Sequence, residues 1–356
     1  LEGGLKAVTC DRSPAKPDLR ICGGNAHKKL QRWYNTVFFS IINEENNFNR
    51  KAMKKIESVS LIGLGALGLL FAERFASASP GGFCVIADKN RQARYKKEGL
   101  YNNDNILNFP MVSPDEKHEE VDLVIIATKY TQLSQAITDI ANHVGKNTLI
   151  ISLINGIISE QDIRAVYGDK VIGCTVQGMD ATKRGNRLYW SNLGSFTIGE
   201  LDCNEITPRL RLVADFLERA KIPHSVVTNM RDSMWGKFML NVGVNQVVSV
   251  CEGNYGSILY EGAERSRMIA AMREVIVLAK AENVKLDEKA LEYWLDVIKP
   301  LSPEGMPSMR QDLLQGRKTE VELFAGTVVK LGKKHGIPTP VNDALLEEIL
   351  ALEKDF

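Results

Sequence analysis

The stretch from Ser58 to Ala76, SVSLIGLGALGLLFAERFA, constrains the fold more than any other part of the chain. Val59, Leu61 and Ile62 read as a short buried strand, Gly63, Gly65 and Gly68 as a tight turn, and Leu69 to Phe75 as the first turns of a helix. Gly63 permits the sharp turn. Gly65 keeps side chains out of the way of an approaching anion, and Gly68 lets the helix lie close on the strand while its first N–H groups face that anion. Glycines spaced in this way also serve ordinary strand-to-helix turns. Here a second apolar run, Phe83 to Ala87, closes on Asp88 about twenty residues after Gly68, where dinucleotide-binding units carry the residue that reads the ribose. Gly63, Leu64, Gly65, Ala66, Leu67 and Gly68 are therefore expected to line a pyrophosphate, with Asp88 at the ribose.

A length of 356 residues suits two domains. With 45 basic and 44 acidic side chains the net charge is +1, which leaves no electrostatic footprint for nucleic acid or an anionic membrane. The six cysteines, at 10, 22, 84, 174, 203 and 251, form no CxxC pair and no Cys/His cluster with zinc spacing, so reduced thiols and no metal site are expected, in a cytoplasmic protein. No apolar run approaches the roughly 18 to 20 residues that span a bilayer.

Residues 1–52 differ from the rest in carrying mixed charge with Gly and Pro clusters, and are expected to be an extension outside the fold. The apolar island Val37 to Ile42 is too brief for a signal-peptide core, and Asp11, Asp18, Glu44 and Glu45 argue against a transit peptide. From Met53 the sequence MKKIESVSLIG reads like the start of a chain that opens on its first strand. Residues 53–224 alternate between strand and helix. Apolar runs at Val121 to Ala127, Thr148 to Leu153, Val171 to Val176 and Ser195 to Ile198 are separated by helical stretches such as Thr131 to Val144 and Glu160 to Tyr167, which predicts a largely parallel sheet covered on both faces. Ligands in such α/β sheets bind outside the carboxyl ends of the strands, which singles out Lys129, Asn155 and Gly156. Lys129 could neutralise a phosphate or face solvent; the Asn-Gly pair could be only a turn, though one at the ligand edge. Residues 225–356 carry helical periodicity in Met230–Val250, Glu264–Glu282, Asp287–Ile298, Thr319–His335 and Asn342–Leu352, so an all-helical domain follows the Rossmann-like one.

Within the first long helix of that domain, Lys237, Asn241 and Asn245 recur at i, i+4 and i+8 inside KFMLNVGVNQVVSV. One ammonium and two carboxamides thus share a stripe whose neighbours are almost wholly apolar. Buried polar groups without partners are costly, so the stripe is expected to face a polar ligand or a wet cleft, the plain alternative being a snorkelling lysine with two core amides. A second cluster follows the loop marked by Pro300, Pro303, Gly305 and Pro307: Ser308, Arg310, Asp312, Lys318, Thr319 and Glu320. By itself it reads equally as a helix start with solvated charges.

The GLGALG turn, the lysine of ATKY at 129, Asn-Gly at 155, the W-x-K-x-x-x-N-x-x-x-N run from Trp235 to Asn245, and S-M-x-Q-D followed by T-E over 308–320 occur in this order in ketopantoate reductases (2-dehydropantoate 2-reductases), which the chain resembles over about 300 residues. The resemblance implies a Rossmann-like domain followed by a helical domain like the C-terminal one of 6-phosphogluconate dehydrogenase, and NADPH-dependent reduction of 2-dehydropantoate to (R)-pantoate on the way to pantothenate and coenzyme A. It further implies that Lys237 is the general acid. Asn241, Asn245, Asn254 and Ser308 hold the keto acid, Asn155 spans cofactor and substrate, and Lys129, Ala181 and Glu320 lie along the cofactor. Helical domains of this kind often pair, which makes a homodimer an expectation too.

Three departures stand out. Asp88 ends the second strand where NADP-using relatives usually carry a basic residue; a carboxylate there accepts from a free 2′-hydroxyl and repels a 2′-phosphate, which keeps NAD open, although Lys89, Arg91 and Arg94 follow at once. Tyr255 stands where an asparagine before a glycine is expected, with Asn254 one position early. The long N-terminal extension has no counterpart. The competing readings are a similarly built dehydrogenase of another 2-keto or 3-hydroxy acid, and a silent NAD(P)-binding sensor.

Overall fold

The computed structural model describes residues 55–354, and the expected extension over 1–52 lies outside them. The α/β part begins with β1 (Val59–Ile62), α1 (Ala66–Ala78), β2 (Phe83–Ile86), α2 (Lys89–Glu98), β3 (Leu100–Asn102), β4 (Asn105–Leu107) and β5 (Met111–Val112). It continues through β6 (Leu123–Ile126), α3 (Leu133–Asp139), β7 (Leu149–Ser152), α4 (Ser159–Tyr167), β8 (Val171–Met179), β9 (Thr182–Arg184), β10 (Arg187–Tyr189), β11 (Leu193–Gly199), α5 (Pro208–Arg219) and β12 (His224–Val227). Eight of these strands form one sheet in the order β12-β11-β8-β7-β6-β1-β2-β5. Every neighbouring pair is parallel except β8 with β11. The sheet is thus mixed, and β12 carries it to Val227, beyond the expected division at 224.

Every residue of β1, β2, β6 and β7 is buried, as unbroken apolar runs demand of central parallel strands. One face is packed by Phe71, Phe75, Phe196 and Phe216, with Phe71 and Phe196 edge to face at 4.7 Å. The other is covered by Leu133, Ala136 and Ile140 of the α3 region and by Ile163 of α4. The chain leaves β1 towards β2 on one side and later returns to β6 on the other, so the strand order reverses at β1 and opens a crevice at its carboxyl end. A separate small sheet, β4-β3-β10-β9, was not anticipated: its three-residue strands join segments nearly ninety residues apart, as in the Leu188↔Asn102 pairing.

The helical part comprises α6 (Met230–Val250), α7 (Gly256–Leu259), α8 (Ala263–Ala281), α9 (Glu288–Ile298), α10 (Ser308–Leu314), α11 (Ala325–His335) and α12 (Pro340–Leu352). Helix α6 is buried on nearly all sides and is the axis around which the others pack, through Phe238, Met239, Val242 and Val248 among others. The stretch expected as one helix from Thr319 to His335 is broken at Phe324 (φ −101°, ψ −88°) into a 3₁₀ turn, Val321–Leu323, and α11. No helix among the described residues is long and apolar enough to cross a membrane.

Candidate active site

The turn after β1 is built as its glycines require. Gly63 has φ +96°, and a Cβ there would lie 2.7 Å from Ala127 O; a Cβ at Gly68 would lie 1.9 Å from Gly63 O. Gly65 meets nothing closer than Ala127 O at 3.7 Å and is exposed. It opens α1 without any side-chain cap, and the first turn carries no acidic residue, so the first N–H groups of the helix remain available to an anion. Asp88 at the end of β2 caps α2 instead, accepting from Arg91 N at 2.8 Å and pairing with Arg91 Nε at 3.3 Å. Farther along α2, Arg94 comes near Lys183 of β9, and Arg317 comes near the same lysine. Burial first, and then these two guanidinium groups, hold the Lys183 ammonium below its usual range.

Beyond β7 the chain turns through Asn155 and Gly156, the glycine at φ +94° with Leu323 of the helical part packed against it. This turn meets the polar stripe of α6. Lys237 Nζ donates to Asn155 Oδ1 at 2.9 Å, and Asn155 Nδ2 donates to Glu320 Oε2 at 3.3 Å. Lys237 is buried and Asn155 is its sole hydrogen-bond partner among the described residues, so two ammonium N–H groups have none. Desolvation lowers its pKa from 10.5 to about 8, partly opposed by Cys174, Glu320 and Glu160. Burial likewise pushes the Glu320 carboxyl up.

One turn along α6, Asn241 Nδ2 is buried without a partner among the described residues, and Asn245 is buried another turn on. The same helix shows what a merely structural amide looks like: Gln246 donates to Val242 O and Asn342 Oδ1 and accepts from Ala325 N. The contrast marks Asn241 as facing a place where a ligand oxygen belongs. The remaining expected residues are more scattered. Ser308 is exposed at the start of α10, Asn254 lies in the turn before α7, and Ala181 precedes β9, whose Thr182 Oγ1 donates to Gln311 Oε1 at 3.2 Å. None of these three hydrogen-bonds to Lys237, Asn155 or Glu320. Lys129 is not a free cation: its ammonium donates to Asp312 Oδ2 at 2.9 Å, while Arg317 occupies Asp312 Oδ1. That buried carboxylate ties the end of β6 to α10.

Two residues beside the lysine escaped the sequence reading. Glu160, in the first turn of α4, is buried; Ser159 Oγ donates to its Oε2 at 2.9 Å and its Oε1 has no partner among the described residues. Burial raises its pKa to about 7, and the Lys237 charge works against that rise. Cys174 on β8 is a buried free thiol in the same electrostatic neighbourhood, pushed up by desolvation.

A family model for "Ketopantoate reductase PanE/ApbA" matches residues 59–202, and one for its C-terminal region matches 229–353. The chain belongs to the ketopantoate reductase family. It is 27% identical over 301 residues to a 2-dehydropantoate 2-reductase of Streptococcus pyogenes serotype M6, covering 83% of this chain and 97% of that protein. A 2-dehydropantoate 2-reductase of Aquifex aeolicus is also 27% identical, over 306 residues, covering 82% and 96%. Among solved structures, a PanE/ApbA family ketopantoate reductase from Ralstonia eutropha JMP134 superposes with a TM-score of 0.72 at 23% identity, covering 84% of this chain and 99% of the other. A D-mandelate dehydrogenase with NADH and anilino(oxo)acetate superposes with a TM-score of 0.75 at 23% identity, covering 84% and 98%. As a ketopantoate reductase family member, the chain is an oxidoreductase; the first matched region falls within the α/β part and the second covers the helical part.

Proposed function

We propose that the chain reduces 2-dehydropantoate to (R)-pantoate with NADPH, in the route to pantothenate and coenzyme A. The observation that carries this reading is a buried lysine with one hydrogen-bond partner among the described residues, one helical turn from a buried amide donor that has none among them. Together they offer N–H groups to the oxygens of a small keto acid. The glycine turn fits the pyrophosphate of a nicotinamide dinucleotide, because any Cβ at Gly63 or Gly68 would collide with backbone while Gly65 and the uncapped start of α1 stay open. Bound there, the reduced cofactor supplies the hydride.

The residues of the chain do the rest. Negative charge that develops on the ketone oxygen is stabilised by the Lys237 ammonium, which then transfers its proton to complete the alcohol. Asn155 holds that ammonium in place, and its own amide is held by Glu320, so the geometry does not rest on a flexible four-carbon stem alone. Asn241 and Asn245 orient the substrate's hydroxyl and carboxylate, with Ser308 and Asn254 as outer contacts. The cations Arg94, on the helix that Asp88 caps, and Lys183, near it, favour the extra phosphate of NADPH, and the capping bonds of Asp88 draw its charge towards Arg91.

The deciding assay follows absorbance of the nicotinamide with 2-dehydropantoate and other 2-keto acids, each with NADPH or NADH, and with 3-hydroxy acids, each with NADP⁺ or NAD⁺. The highest kcat/KM is expected for 2-dehydropantoate with NADPH. A clear preference for another acid overturns the substrate assignment, and a preference for NADH overturns the cofactor assignment.

Glu160 acts on this chemistry through Lys237 and is a positioning residue. Its negative charge raises the lysine's pKa, so Glu160→Gln, which keeps the shape and removes the charge, is expected to move the alkaline limb of the pH–kcat/KM profile to lower pH. A profile identical to that of the parent would show that Glu160 is only part of the packing.

A further inference from the structure

At the amino-terminal edge of the large sheet, away from the glycine turn, Cys84 of β2, His118 in the loop after β5 and His143 in the 3₁₀ turn before β7 bring their ligand atoms within 4.8 Å of one another. Cys84 Sγ lies 3.7 Å from His118 Nε2. Two ligands on a tetrahedral zinc, with Zn–S near 2.3 Å and Zn–N near 2.0 Å, stand about 3.6 Å apart. That pair is already at ligand spacing.

The two imidazoles lie stacked beside Cys84, with ring centroids 4.2 Å apart and planes 23° from parallel, and each keeps its Nε2 unprotonated. His118 Nδ1 is 2.6 Å from Glu119 O, and because a carbonyl only accepts, the proton sits on Nδ1 and Nε2 is bare. His143 is 0% exposed; its Nδ1 is 2.8 Å from Ser60 Oγ and its Nε2 has no hydrogen-bond partner among the described residues. With Nδ1–H donating to Ser60, Nε2 keeps its lone pair free; the other tautomer would bury an N–H with no acceptor, which costs more. Ser60 Oγ is also 3.3 Å from Cys84 Sγ, its register partner across β1 and β2, so one hydroxyl positions two of the three donors.

The surroundings suit a cation. The loop that carries His118 also exposes Asp115, Glu116, Glu119 and Glu120. Asn142 Nδ2 clamps it by donating to Pro114 O at 2.8 Å and Glu116 O at 3.4 Å, so His118 is held against the sheet. The spacing 84–118–143 matches no metal motif in the sequence; strand pairing brings the three together.

We propose that Cys84, His118 and His143 bind one Zn²⁺ ion, with Ser60 fixing the orientation of His143, in a site separate from the reductase chemistry. The zinc–sulfur bond forms as the Cys84 thiol releases its proton to solvent; the part-exposed His118 ring turns out of its stack on His143, both histidines bind through Nε2 without proton change, and water on the His118 side completes the tetrahedron. The ion would lock the 113–120 loop onto the sheet.

The test uses the full chain, stripped with a chelator and titrated with Co²⁺ and then Zn²⁺. A thiolate-to-cobalt charge-transfer absorption that saturates at one equivalent and is displaced by Zn²⁺ is expected. Cys84→Ser is expected to abolish it, His118→Ala to weaken Zn²⁺ binding by about 100-fold or more and Ser60→Ala by about tenfold, with keto acid turnover of His118→Ala close to that of the parent. Absence of the absorption in the parent overturns the proposal. So does its persistence in Cys84→Ser, which would assign it to another thiol such as Cys203 or Cys251. Should Cys84→Ser fail to fold, His118→Ala decides, since its ring is part-exposed: unchanged Zn²⁺ affinity there overturns the site.

Discussion

Replacing Lys237 with alanine is expected to lower kcat for keto acid reduction by about 10²- to 10⁴-fold, the range that a positioned general acid contributes, while the Kd for NADPH stays near that of the parent. The two readouts separate because the glycine turn and the ammonium sit on different elements: one is the β1–α1 junction, the other the middle of α6. The substitution also leaves Asn155 Oδ1 without the donor it has now. Lys237→Met, which keeps most of the stem's volume without the charge, serves as the control for collapse of the buried site, and the same loss of turnover is expected from it. Lys237→Arg is not expected to rescue, because a planar guanidinium that stays charged cannot return the proton and does not fit the place of a compact ammonium. Turnover within a few-fold of the parent in either Lys237→Ala or Lys237→Met would remove the lysine from the chemistry and leave the chain a reductase with a different acid.

What could be read before the structure was known depended on how local each signal is. The β1–turn–α1 unit is written in consecutive residues, since a buried strand, three glycines and an apolar helix all lie between Val59 and Ala78, and it folds as expected. The stripe of Lys237, Asn241 and Asn245 was equally legible, because helical spacing fixes which side chains share a face. Its partners were legible only one at a time: Asn155 and Glu320 are 165 positions apart, and their contact is a property of the packed chain.

Other features had no local signal. The break at Phe324 arises because the first N–H of α11, at Ala325, is taken by Gln246 of α6, and Thr319 N and Oγ1 both donate to Glu353 Oε1. Caps supplied from distant elements leave helical periodicity intact in the sequence while stopping the helix in space. The antiparallel entry of β11 was invisible for a related reason, as a buried strand has the same composition in either direction. Glu160 looks like any acid in the first turn of a helix; only burial on all sides turns it into an electrostatic neighbour of Lys237.

The pH dependence of wild-type catalysis follows from that neighbourhood. An amine is cationic when protonated, and burial penalises the cation, so the Lys237 pKa falls from 10.5 to about 8 even though Cys174, Glu320 and Glu160 pull it upward. Reduction requires the protonated form. The kcat/KM for the keto acid, which reports the free enzyme, is therefore expected to be level below the lysine's pKa and to fall as pH rises through about 8, approaching a tenfold loss per pH unit on the alkaline side. Oxidation of the hydroxy acid by NADP⁺ needs the neutral amine as base, and its kcat/KM is expected to show the mirror image, falling as pH drops through the same value. The two profiles must share one inflection, because one group serves both directions. A reduction profile that stays level to beyond pH 10 would mean that the acid titrates like a solvated lysine, and the buried ammonium on α6 would then not be the proton donor.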